Sequence, residues 1–262
     1  MRLRRWSRPL LAIAANVAVV LARSASAEDS ADPAKVPDPR QPDAKSVART
    51  VKQTDPRSPD EAAKALSLVL ADLSKRLGAF KTMRCRFEQR RYLAVFEEVV
   101  TSEGTLALAV PDRLRWETTR PIRSVLTVDG REAMRERTSR KGRTTRRTFS
   151  LDDDPVAAIT VQQVFLWLRG DFAKAAESYD LALVTEKPLV LRATPKDGRV
   201  KDVLTSIELT FSAARDRLTG VTLAEKHDAR TAIAYLDVEI DPELPASLFA
   251  IRNAGARPAA GK

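Results

Sequence analysis

The sequence predicts an α+β fold, mainly antiparallel β: an incomplete, half-open β-barrel of about ten or eleven strands, covered by helices that form a lid. Three observations carry this expectation. Apolar and polar residues alternate over many short runs, as in strands with one buried face and one wet face. Turn residues separate those runs at short intervals. Helical periodicity breaks the pattern in only two places, before the first strand and in the middle of the chain.

Ser58-Pro59-Asp60-Glu61 opens the first helix: Ser58 caps, Pro59 takes the first helical position, and Glu61 completes a capping box. Leu66, Val69, Leu70, Leu73 and Leu77 then form one apolar stripe, and Gly78 ends it. Met83, Cys85 and Phe87 alternate with Arg84, Arg86 and Glu88. Leu106, Leu108 and Val110 share a strand face, as do Leu114 with Trp116 and Leu126 with Val128. The expected separators are Glu103-Gly104, Pro111-Asp112, Asp129-Gly130 and Lys141-Gly142. Asp154-Pro155 starts the middle helix, whose stripe is Val161, Val164, Phe165 and Leu168, and a shorter helical stretch over 171–178 follows Gly170. Strands are expected again over 180–185, 189–194, 204–212, 218–225 and 232–240; on the third of these, Ile207, Leu209 and Phe211 share one face. A curved sheet of this kind must fill its concavity with its own side chains, with helices or with a ligand. The pattern alone fits both a dry core and a cavity suited to acyl chains.

The remainder of the chain divides by composition. Residues 1–27 have a basic start, an apolar run from Leu10 to Ala22 and the small residues Ala25-Ser26-Ala27, the three parts of a cleaved signal peptide. The apolar run is shorter than the ~20 residues of a membrane-spanning helix. The expected location is therefore the periplasm. Residues 28–60 hold six of the fifteen prolines and almost no large apolar residue, so they read as a disordered linker. The folded domain is expected over 61–252, with a flexible tail over 253–262 and a monomeric state.

Charge and chemistry exclude much. The formal net charge is +10, but the first 27 residues hold five arginines and no acid, which leaves +5 for the rest. Arg131 to Arg147 contains eight basic residues and two acids, an expected hairpin whose Arg135, Arg137, Arg140, Lys141 and Arg143 would touch a membrane surface or lipid headgroups. It lacks the stacking aromatics of a nucleic-acid site, and no nucleic-acid partner is expected. The single Cys85 and single His227 exclude disulfides and multi-cysteine or multi-histidine metal sites. Cys85 reads as a buried apolar residue and His227 as an exposed one in a charged turn. Asp152-Asp153-Asp154 reads as charge at a helix N-terminus. No catalytic residue, metal site or cofactor is expected, and the chain does not read as an enzyme.

One series of short motifs resembles the LolA family of outer-membrane lipoprotein carriers. It comprises Phe87-Glu88-Gln89, Glu103-Gly104-Thr105-Leu106, Pro111-Asp112-Arg113-Leu114-Arg115-Trp116-Glu117, Pro121, Ser124-Val125-Leu126 and Asp129-Gly130. Ile207-Glu208-Leu209, Leu218, Lys226-His227-Asp228 and Phe249 continue it, so the resemblance spans about residues 62–251. The resemblance implies a periplasmic carrier that holds lipoprotein acyl chains in a hydrophobic cavity and moves them from the inner to the outer membrane. Its implied partners are an inner-membrane lipoprotein-releasing transporter and an outer-membrane acceptor, with transient membrane-surface contact. The expected cavity residues are Phe87, Leu106, Leu108, Leu114, Trp116, Leu126, Val128, Phe165, Leu209 and Phe211.

The chain also departs from that family. A basic residue tied to lid opening and release usually precedes the proline of the P-x-x-L-x-W segment; here that position is Val110. Leu114 keeps the apolar character linked to cargo uptake, and the C-terminal extension is reduced. These departures leave a second expectation open, a related protein that binds or senses another lipid, glycolipid or polyene.

Overall fold

A computed structural model describes residues 58–93, 98–226 and 228–251. The expected signal peptide, nearly all of the linker, the tail and His227 lie outside the described residues. Helix α1 (Pro59–Leu77) starts at the capping box: Ser58 accepts from the Glu61 backbone N–H, and the Glu61 carboxylate accepts in return from the Ser58 backbone N–H at 3.0 Å. Six strands follow in sequence: β1 (Thr82–Leu93), β2 (Glu98–Ala109), β3 (Arg113–Arg120), β4 (Ser124–Asp129), β5 (Glu132–Thr138) and β6 (Thr144–Ser150). Helices α2 (Pro155–Leu168) and α3 (Phe172–Ser178) interrupt them, each capped by an aspartate, Asp154 and Asp171. Then come β7 (Tyr179–Glu186), β8 (Leu189–Pro195), a one-turn α4 (Gly198–Lys201), β9 (Leu204–Phe211), β10 (Leu218–Glu225) and β11 (Arg230–Ile240). A 3-10 turn, Ala246–Phe249, closes the described chain.

The eleven strands form one antiparallel sheet in the order β6-β5-β4-β3-β2-β1-β11-β10-β9-β8-β7. It is two meanders joined where the first strand pairs with the last, Phe87 opposite Tyr235. β6 and β7 are its free edges, so the sheet stays open as expected. Alternation sends Phe87, Leu106, Leu114, Trp116, Leu209 and Phe211 to one face, where they join Leu73 and Leu77 of α1 and Val161, Val164, Trp167 and Leu168 of α2 in a single apolar cluster. The opposite face is covered only locally, where Phe249 packs on Ala107 and Ala109.

Two readings of the sequence need correction. Glu103-Gly104 is not a turn but the middle of β2, with Gly104 opposite Phe87. A Cβ there would meet the Glu117 carbonyl of β3 and come within 2.9 Å of Phe87 Cε1, so the glycine serves close strand approach instead of chain reversal. The middle helix also turns an apolar face to the sheet that is shifted from its expected stripe: Trp167 is buried with Val161, Val164 and Leu168, while Phe165 is only half-buried.

Candidate functional site

The antiparallel register arranges the concave face in transverse rows. In one, Met83, Leu108, Leu114, Val128, Ala133 and Phe149 stand opposite one another across β1 to β6. Its neighbour runs Cys85, Leu106, Trp116, Leu126, Arg135, Arg147. Across the other meander, Gln89 leads through Ile233, Val221, Leu209 and Leu191 to Leu183. The result is a broad oily surface that turns polar at the β5–β6 edge.

Nine of the ten expected cavity residues lie on this surface and are buried: Phe87, Leu106, Leu108, Leu114, Trp116, Leu126, Val128, Leu209 and Phe211. Helix side chains fill the space above them. Phe87 and Trp116 meet with ring centroids 4.9 Å apart, Trp167 of α2 meets Tyr179 at 5.2 Å, and Phe172 of α3 meets Phe211 at 6.3 Å. The tenth, Phe165, is only half-buried, packed against the apolar cluster. It lines a cavity of about 810 Å³ beside the helices, bounded by the end of α1, by α2 and α3, and by the β2–β3 and β4–β5 turns. Gln162, Gln163, Arg169 and Lys174 make that cavity amphipathic, unlike the sheet face.

Among the described residues polar bonds fasten the helices at several points. Lys196 Nζ, after β8, donates to the Ala176 carbonyl of α3 at 2.6 Å, and the Lys196 backbone N–H donates to the Ser178 carbonyl at 2.9 Å. Arg215 lies 4.0 Å from Asp72 of α1. Ser74 Oγ of α1 donates to the Gly170 carbonyl at 2.7 Å, and Tyr179 Oη donates to Gln163 Oε1 at 3.3 Å. The concave face also holds three buried polar atoms without a partner among the described residues, Trp116 Nε1, Gln89 Oε1 and Arg91 Nε. Reading the sequence does not single out Gln89 as buried; its place in the Phe87-Glu88-Gln89 alternation, on the face of Phe87, is the signal that could have found it. Cys85 is buried beside them, and burial pushes its thiol up to about 12, so it carries no thiolate for nucleophilic chemistry near neutral pH. No cluster of metal-ligating side chains occurs among the described residues.

The basic segment is the β5–β6 hairpin, and its two faces differ. On the convex face Glu136 receives Arg123 at 2.6 Å and Arg146 at 2.7 Å, and these guanidinium groups, Arg146 foremost, hold its carboxyl below the usual range. On the concave face Arg135 and Arg147 stand directly opposite each other, their guanidinium carbons 5.6 and 5.9 Å from the Phe149 ring centroid. Arg137 is exposed near the strand end, and Arg140, Lys141 and Arg143 are exposed at the tip. Among the described residues no helix is long and apolar enough to cross a membrane.

The family model described as outer membrane lipoprotein carrier protein LolA matches residues 78–252. The chain belongs to the LolA family. The family match begins at Gly78, the C-cap of α1, so it covers the whole sheet and excludes the body of the first helix. An outer-membrane lipoprotein carrier protein of Legionella pneumophila (strain Corby) is 26% identical over 184 residues, covering 68% of this chain and 82% of the relative. One from Pseudoalteromonas translucida is 22% identical over 178 residues, covering 68% and 79%. Among solved structures, MucB aligns at 16% identity and a TM-score of 0.45 over 72% of this chain; the alignment spans 63% of the MucB chain. A LolA superfamily protein from Nitrosomonas europaea aligns at 13% identity and a TM-score of 0.36, over 71% of this chain and 97% of that one. LolA family members are carrier proteins, and a lipid- or lipoprotein-binding role follows for the chain at that level.

Proposed function

We propose that the protein is a periplasmic carrier that takes the acyl chains of lipoproteins against the concave face of its sheet and moves them from the inner to the outer membrane. The observation that carries this is the single apolar cluster between that face and helices α1 to α3. Apolar side-chain packing joins α1 and α2 to the sheet, so lifting them exchanges one apolar surface for another. Acyl chains that replace the helix side chains restore the burial the helices give up. The half-buried Phe165, next to a cavity within the ~300–1,000 Å³ of small-molecule clefts, marks the entry path. The lining residues of the opened state are Phe87, Leu106, Leu108, Leu114, Trp116, Leu126, Val128, Leu209 and Phe211. An inner-membrane releasing transporter would supply the cargo and an outer-membrane acceptor would receive it.

Val110 favours a second reading, a carrier for another lipid. Val110 is half-buried, packs against the apolar cluster, and supplies no charge at the position where the family resemblance implies a basic residue for release. One experiment addresses both readings. Protein purified without detergent is extracted with organic solvent and the extract is read by mass spectrometry. A diacylglyceryl-modified peptide supports the first reading, a free lipid supports the second, and absence of acyl material from protein recovered in its native fold overturns both. In the same assay Phe165→Glu is expected to lower bound acyl material at least fivefold while circular dichroism stays unchanged; undiminished loading would rule out the entry path.

A further inference from the structure

We propose that Arg135 and Arg147 form a receptor for the phosphate of an amphiphile whose tail lies along Leu126 and Trp116. This deepens the second reading, a carrier for another lipid, and rests on it, because a diacylglyceryl-modified cysteine carries no phosphate. The two arginines end the row Cys85, Leu106, Trp116, Leu126, Arg135, Arg147, so one line across the sheet passes from oil to paired cations. Like charges directly opposite on neighbouring strands repel. On the convex face of the same hairpin Glu136 relieves that repulsion, but on the concave face neither Arg135 nor Arg147 has a carboxylate in contact among the described residues. Asp154, the N-cap of α2, attracts Arg135 without an ion-pair contact, and its Oδ1 accepts from the Ala157 N–H.

Protection of the free edge explains an inward-facing charge on β6, which is Arg147. It does not explain Arg135, which sits on the interior strand β5 and is partly desolvated against Phe149. Two guanidinium groups held by one ring present a fork of N–H donors that matches phosphate oxygens. A bound phosphate would turn their repulsion into shared attraction.

The test is calorimetric titration of the delipidated protein with dihexanoyl phosphatidylglycerol, with dihexanoylglycerol and with inorganic phosphate. The native protein is expected to bind the phospholipid about tenfold more tightly than the neutral lipid, as two charge-assisted contacts allow. Arg135→Gln/Arg147→Gln should abolish that difference and leave dihexanoylglycerol binding unchanged. Arg135→Lys/Arg147→Lys, which keeps the charge and loses the fork, should retain only part of it. Lys64→Gln/Lys201→Gln, on α1 and α4, removes the same charge and should retain all of it. Equal affinity for the two lipids in the native protein, or a preference that survives Arg135→Gln/Arg147→Gln, overturns the proposal and leaves the second reading standing. Inorganic phosphate binding as tightly as the phospholipid overturns it in favour of free phosphate. Binding of neither lipid overturns the second reading itself.

Discussion

Leu114 shows how one side chain can serve both the fold and the proposed cargo surface. It is 1% exposed, stands between Leu108 and Val128 in its row and belongs to the apolar cluster. Leu114→Ala should therefore lower unfolding stability by about 2–5 kcal/mol, the range for a leucine truncated in a packed core, read as a fall in the urea midpoint at constant slope. A shift under about 1 kcal/mol would mean that the site is loosely packed. A charged substitution there buries an unpaired carboxylate and unfolds the domain, so it reports on folding instead of cargo uptake. Half-buried Phe165, on the proposed entry path, is the residue at which loading and folding are expected to separate.

At the scale of the element, the β5–β6 hairpin depends on Glu136. Arg146 and Arg123 lower its carboxyl below the ordinary value, so its contribution to stability is full above about pH 4.3 and is lost as pH falls through the depressed folded value. Glu136→Gln is expected to reduce the thermal midpoint at pH 7 and to flatten its decline between about pH 5 and pH 3; an equally steep decline in the variant would show that other carboxylates govern acid unfolding. The hairpin also marks where the sequence is legible and where it is not. Lys141-Gly142 locates its turn, and charge density locates its chemistry, yet its two faces become distinct only through register, which sets Arg135 against Arg147. Arg147 escapes detection for that reason, because sequence patterning places residues on a strand without saying what stands across from them. Gly104 reads as a turn through the same gap: only the neighbouring strands reveal that its missing Cβ makes room for Phe87 and the Glu117 carbonyl.

For the whole molecule, alternation and turn residues suffice for an open antiparallel sheet under helices, since period-two patterning decides which face is buried. They do not say how far the helices fill the concavity, which depends on side-chain volumes brought together from distant parts of the chain. Trp167 and Phe172 fill it here. Because α2 lies outside the hydrogen-bonded ladder of the sheet and packs on it through apolar side chains, its amides should exchange with deuterium through openings of lower free energy than those of β1, β2 and β11 at the sheet centre. A bound acyl ligand should change exchange in the helices and leave the central strands unaltered; helix amides as protected as those of β1 would rule out a movable cover.

The junction of the two meanders has its own consequence. Strand β1 is joined on one side by the adjacent β2 and on the other by β11, with Met83 opposite Ile240, so the centre of the domain is sewn by its most distant partners in sequence. Closing so long a loop carries an entropic cost that neighbouring strands do not meet. A ribosome that has delivered only the first meander has delivered half a sheet with one side of β1 still unpaired, and the protein becomes whole only when the final strand arrives.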